Sequence, residues 1–142
     1  MKRLHITPHL GGGVGAVVLA MVVKDMPENY HTVISLDRNN NQEWVKVSNK
    51  QKNVTIVDAL YFYKWFGKLL PAYIETSDIV IIHWWNHPLL YDVMVNFKFP
   101  DCRLIIWNHV SGLHAPYVIS NKVIDFSDYF IFGVIRNRSA IG

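Results

Sequence analysis

The sequence predicts an α/β fold: a doubly wound, mostly parallel sheet with helices on both faces. Apolar, β-branched runs alternate with helical patterns along the chain, the order that builds βαβ units. Two of those runs, residues 78–83 and 103–107, are almost continuously apolar, as strands covered on both faces are. Glycines and polar residues gather directly after the runs, where a parallel sheet turns into its crossovers.

Taken in order, residues 2–7 alternate apolar and polar and read as a strand, which Pro8 ends because it lacks an N–H. Gly11, Gly12, Gly13 and Gly15 follow, and residues 14–24 read as a buried helix stopped by Pro27. Residues 31–36 form a second strand closed by Asp37, and residues 38–43 a polar loop. Residues 44–48 and 54–57 are short β-branched runs; the second reads as a strand, the first as a strand or an extended connector. Asp58 reads as the N-cap of a helix reaching Leu70, with Tyr61, Phe62, Trp65 and Phe66 at helical spacing. After the 78–83 strand, Asn86 caps a helix over 88–97 that begins with Pro88. The 103–107 strand, a loop over 108–116, a short helix over 117–124 and a strand over 128–132 complete the pattern. Right-handed crossovers join the parallel strands.

Composition narrows the class. The 142 residues fit one domain, 1–142, with its own core. With 51% hydrophobic and 18% charged residues, the chain is not disordered. One cysteine, Cys102, gives no disulfide framework and reads as an inert thiol. The longest apolar run, residues 14–23, is about half of what spans a bilayer, and the polar, glycine-rich start is no signal-peptide core. These features predict a reduced, cytoplasmic domain. A net charge of +3 permits anionic partners without selecting one, and no nucleic-acid module is recognisable.

Ligands of such sheets bind outside the carboxyl ends of the strands. There the sequence places His9, Asp37, His83, Trp84, Trp85, Asn86, His87, Asn108, His109, Ser111 and His114. Five of the seven histidines fall in these positions, which marks a candidate site. The glycine turn suits an anion, since backbone N–H groups approach closely there and the helix dipole points the same way. A phosphate or diphosphate is the expected guest. Trp84 and Trp85 face opposite ways in a strand, so one ring at most serves a ligand. The spacings of His83 with His87 and of His109 with His114 do not complete a metal set, and no metal is expected. Ser111 lies outside any nucleophile elbow.

These residues resemble a known family. Arg3-Leu4-His5-Ile6-Thr7-Pro8, the Gly11-Gly12-Gly13-Val14-Gly15 turn with its helix, the 78–83 strand and Trp107-Asn108-His109-Val110-Ser111-Gly112 look like the amino-terminal domain of family 4 glycosyltransferases of the GT-B fold. The resemblance spans nearly the whole chain. It implies one Rossmann-like lobe of two, the acceptor-side lobe of a retaining, metal-independent transferase with no cofactor. It implies that Gly12, Gly13 and Gly15 approach the donor diphosphate. It places His109 beside the transferred sugar as the catalytic hydrogen-bond partner. His9, Trp84, Asn86, His87, Asn108 and Ser111 would border a glycan or lipid-linked acceptor. The second lobe, with its paired glutamates, has no counterpart in the chain, so the resemblance implies inactivity alone and a separate donor-binding subunit or domain. Peripheral contact with the inner membrane face is compatible with a lipid-linked acceptor.

Two other readings stay open. Gly11, Gly13 and Ala16 match G-x-G-x-x-A with Asp37 about twenty residues on, the pattern of an NAD- or nucleotide-binding oxidoreductase domain. In this chain Pro8-His9-Leu10 lengthen the loop before the first glycine. A non-catalytic interaction module with exposed aromatic residues is the third reading.

Overall fold

The computed structural model describes residues 1–38, 42–110 and 119–132. The strands are β1 (Lys2–Thr7), β2 (Tyr30–Ser35), β3 (Val54–Val57), β4 (Ile79–Trp84), β5 (Leu104–Asn108) and β6 (Tyr129–Phe132). They form one sheet in the order β3-β2-β1-β4-β5-β6, and every adjacent pair is parallel. The helices are α1 (Gly12–Lys24), α2 (Gln42–Lys50), α3 (Phe66–Glu75), α4 (Pro88–Asn96) and α5 (Asn121–Phe126). The winding reverses between β1 and β4, the point at whose carboxyl ends sheets of this kind hold their ligands. The expected α/β, Rossmann-like fold is thus the observed one.

Strand alternation assigns the two faces. Leu4 and Ile6 of β1, Val80 and Ile82 of β4, and Leu104 and Ile106 of β5 point to one side. There they meet Leu70 and Ile74 of α3, Leu90 and Val93 of α4, and Val123 of α5. Val33 and Val54 point to the other side and meet Val18 and Val22 of α1 and Trp44 of α2. Burying each such aliphatic side chain contributes roughly 1.5–3 kcal/mol relative to exposure. Among the described residues no helix is long and apolar enough to cross a membrane.

Several local expectations are corrected. The first helix starts at Gly12, two residues earlier than expected. Residues 44–48 lie inside helix α2: Trp44 and Val47, three apart, share the face that covers Val33 and Val54, while Val45 and Lys46 face water. The helix expected from Asp58 is broken. Ala59 adopts a left-handed conformation (φ 52°), a 3-10 turn covers Leu60–Phe62, and α3 begins only at Phe66. Phe62, Tyr63 and Trp65 are therefore exposed, while Tyr61 turns inward and donates a 2.6 Å hydrogen bond to Asp92 Oδ2. The cap of α4 is His87, not Asn86: His87 Nδ1 accepts from the Leu89 N–H at 3.1 Å. Ser120 caps α5, which begins later than the expected helix; residues 117 and 118 lie outside the described residues.

Candidate functional site

The carboxyl ends of β1, β2, β4 and β5 gather the predicted polar residues at one edge. After β1, the Thr7 hydroxyl donates to the His9 carbonyl at 2.9 Å, and the Gly11 N–H donates to His9 Nδ1 at 3.2 Å. These bonds fix the His9 ring over its own loop. Its edge meets Trp85 at 5.1 Å and His87 at 6.1 Å between centroids, and Trp85 and His87 are 6.2 Å apart. The three part-exposed rings form a cluster at the carboxyl edge. Burial pushes the His87 pKa below its usual value, and nearby His9 adds to that; Asp37 opposes both. Asp37 is tied to the same loop, its N–H donating to the Pro8 carbonyl at 2.8 Å and the Ser35 hydroxyl donating to the Asp37 carbonyl at 2.6 Å.

The glycines divide into two roles. Gly12 has φ +67°, a conformation that favours glycine, and opens α1. Gly12 and Gly13 are exposed, and a Cβ at either would meet nothing within 4 Å. Their N–H groups belong to the first helical turn, which has no intrahelical acceptors. Gly15 differs. It is buried, and a Cβ there would lie 2.0 Å from the Leu10 carbonyl oxygen. Its bareness lets the helix close on the loop, not a ligand on the helix.

A chain of four histidines crosses the sheet on the α1 side. Asp25, just past α1, holds His31 of β2, with 2.7 Å between Asp25 Oδ2 and His31 Nε2. His31 Nδ1 lies 2.9 Å from His5 Nε2 of β1, and His5 Nδ1 lies 3.0 Å from His83 Nε2 of β4. His83 Nδ1 lies 2.9 Å from Nε2 of His109, the residue after β5. Register explains the diagonal. His31 pairs with Arg3, His5 with Ile81, and His83 with Trp107. Each neighbouring strand therefore carries its histidine two residues nearer the carboxyl edge, on the same face. His5, His31 and His83 are at most 1% exposed, and His109 is part-exposed.

Burial holds these imidazoles neutral. It lowers the His5 pKa to about 3, with His31 and Arg3 adding to the shift and Asp25 opposing it. Burial also lowers His83, reinforced by His5 and His109, and lowers His109 on its own. At His31 burial outweighs the upward pull of Asp25, and Arg3 adds to the lowering. Burial alone would raise Asp25, but hydrogen bonds from the Met26 N–H, His31 and Asn29, with the Arg3 charge, hold it below the usual carboxylate value. Arg3 Nη1 lies 2.8 Å from the same Oδ2.

The expected site residues do not all meet. His9, His87, Gly12, Gly13 and His109 lie at the carboxyl edge; Asn86 is an exposed residue of the β4–α4 turn. Trp84 is corrected: it is 1% exposed and packs against Tyr91 on the core face, so Trp85 is the ring at the mouth. Asn108 is likewise buried on the core side, where its amide spans the following turn by bonding the backbone of Val110. Gly15 is not at the rim, and His83 is inside the sheet instead of beyond it. Ser111 and His114 lie outside the described residues. Asp25, His5 and His31 were not among the expected site residues, although strand parity puts the three histidines of β1, β2 and β4 on one face. Among the described residues no group of three or more His, Cys, Asp or Glu side chains is arranged to hold a metal ion.

The architecture is similar to that of a known transferase. Over 99% of its length the chain matches the apo form of the glycosyltransferase GlyE of Streptococcus pneumoniae TIGR4, with a TM-score of 0.53 and 13% identity. A second structure of GlyE matches over 99% of the chain, with a TM-score of 0.51 and 15% identity. The chain spans 31% and 32% of the GlyE chain in those two structures. At such identities the likeness is one of fold. No protein-family model and no curated protein sequence matches the chain. The chain thus shares the fold of a part of GlyE.

Proposed function

We propose that the chain is the acceptor-side lobe of a retaining glycosyltransferase of the family 4 kind, acting with a donor-binding lobe supplied by further chain or by a separate subunit. The observation that carries this reading is that the glycine-opened start of α1 and His109 both lie at the carboxyl edge of a 3-2-1-4-5-6 sheet. The match to GlyE over nearly the whole chain supports it. In this reading the N–H groups of Gly12 and Gly13 donate to the donor diphosphate, and the dipole of α1 favours the charge that develops on it as it leaves. His109 accepts a hydrogen bond from a hydroxyl of the transferred sugar and is not a nucleophile. His9, Trp85, Asn86 and His87 border a glycan or lipid-linked acceptor. The transferase works in the cytoplasm, with peripheral contact to the inner membrane face where the acceptor is lipid-linked.

One observation favours a second reading, a dinucleotide-binding oxidoreductase domain. Asp37 follows β2 and is hydrogen-bonded to the loop that precedes the glycines, the position from which a carboxylate reaches an adenosine ribose. Calorimetric titrations separate the two. The transferase reading expects UDP-glucose and GDP-mannose to bind the isolated chain more weakly than micromolar, because base and ribose find their partners on the other lobe. It expects no NADH binding. Tight NADH binding that is lost in Asp37→Ala would overturn it in favour of the oxidoreductase reading. Micromolar binding of a nucleotide-sugar would contradict the assignment of the donor to a second lobe.

A further inference from the structure

We propose that Asp25, His31, His5, His83 and His109 form a proton wire, which takes up a proton at Nδ1 of His109 on the carboxyl edge and delivers it to His31, against Asp25, at the opposite edge. The proposal stands on the continuous hydrogen bonding and holds for whatever reaction the carboxyl edge carries.

The polarity of the wire follows from its end. An ionised carboxylate only accepts, so His31 must donate to Asp25 from Nε2. A neutral imidazole that donates from Nε2 accepts at Nδ1. His31 Nδ1 therefore accepts from His5 Nε2, His5 Nδ1 from His83 Nε2, and His83 Nδ1 from His109 Nε2. One carboxylate thus sets four tautomers, assigned from the network as a whole. The ring of His109 is left with Nδ1 as an acceptor that no hydrogen bond among the described residues occupies.

The transfer balances without a co-reactant. A proton binds Nδ1 of His109. The Nε2 proton of His109 moves to Nδ1 of His83, that of His83 to Nδ1 of His5, and that of His5 to Nδ1 of His31. His31 then carries both protons as an imidazolium against the Asp25 carboxylate. His5, His83 and His109 end neutral, each with its proton moved from Nε2 to Nδ1. No heavy atom travels, because the successive rings already stand 5.1, 5.3 and 5.2 Å apart between centroids. Desolvation keeps charge from resting on His5 or His83, whereas His31 has a carboxylate beside it.

Among the described residues, the groups facing the wire are few in kind. Arg3 of β1 and Asn29 of the α1–β2 turn share Asp25 with His31. Trp107 of β5 packs on His83 and His109. The covering helix α1 contributes apolar Val18 and Val22 to this face. The Arg3 charge limits how firmly His31 holds its proton.

The test is a pH series of long-range 1H–15N spectra on histidine-labelled protein, which report the tautomer of each ring. At alkaline pH all four rings should be neutral with the proton on Nε2. On acidification His31 should become doubly protonated while His5, His83 and His109 switch to Nδ1–H, with one shared midpoint. In Arg3→Met the four signals should move together to a midpoint higher by about one pH unit, since a neighbouring positive charge is gone. His5→Phe should uncouple His109 from His31. The proposal is overturned if His109 itself becomes the imidazolium while His5 and His83 keep their tautomers. It is equally overturned if Arg3→Met moves His31 alone. Arg3 lies at the rim, so that variant keeps the test decisive where His5→Phe does not fold.

Discussion

Acidification from about pH 7 to about pH 5 should lower the free energy of unfolding, with about 2 kcal/mol lost through His5 alone. The sign follows from the direction of the shift. His5 has a folded pKa of about 3 against a usual 6.5. The unfolded chain therefore binds a proton that the folded chain refuses, throughout the interval between the two values. The contribution is fully present above pH 6.5 and is lost as pH falls toward the folded value. His83, His31 and His109 are shifted the same way and add to the loss. A proton accommodated on His31 beside Asp25 offsets part of it. Urea unfolding at the two pH values provides the check. A midpoint that does not fall would mean that the four rings are not held neutral by burial.

Among the described glycines, Gly15→Ala should be the most damaging substitution. The added methyl would sit 2.0 Å from the Leu10 carbonyl oxygen and 2.5 Å from its carbon, and backbone cannot rotate aside as a side chain does. Either α1 lifts from the sheet or the loop over residues 8–11 is displaced. Overpacking of this kind costs typically 1–3 kcal/mol. Gly13→Ala is the control. It lies in the first turn of α1 with nothing within 4 Å of the new methyl, and an alanine should stabilise the helix by roughly 0.5–1 kcal/mol. Thermal melts of the two variants should move in opposite directions. Equal melting temperatures would contradict the packing described for α1.

The separate roles of these glycines lie beyond what the sequence shows. Gly11-Gly12-Gly13-Val14-Gly15 announces a tight turn into a helix, but not that Gly15 faces Leu10 while Gly12 and Gly13 face water. The strands were more legible, because each is a short apolar run bounded by turn residues, and their alternation with helices fixed the fold class. Residues 44–48 look like a strand because Trp44, Val45 and Val47 are good strand formers; only the core face that Trp44 and Val47 cover selects a helix. The break at Ala59 was hidden because its left-handed conformation carries no glycine or asparagine to mark it. In the site, the tryptophan pair was readable as one ring in and one ring out, but not which; the core lies under Trp84 because it shares a face with Val80 and Ile82. The histidine wire needed strand order. His5, His31 and His83 are far apart in sequence, and only the order β2-β1-β4-β5 turns their shared parity into a diagonal line.

In the proposed function, ligands meet this chain at the carboxyl edge, with the glycine turn as the anion site. Amide chemical-shift mapping with inorganic pyrophosphate tests it most directly. The expected result is a set of shifts confined to Gly12, Gly13 and the neighbouring His9, His87 and His109. Shifts confined to the opposite edge, around Arg3, Tyr30 and Thr76, or no shifts at millimolar pyrophosphate, would contradict it.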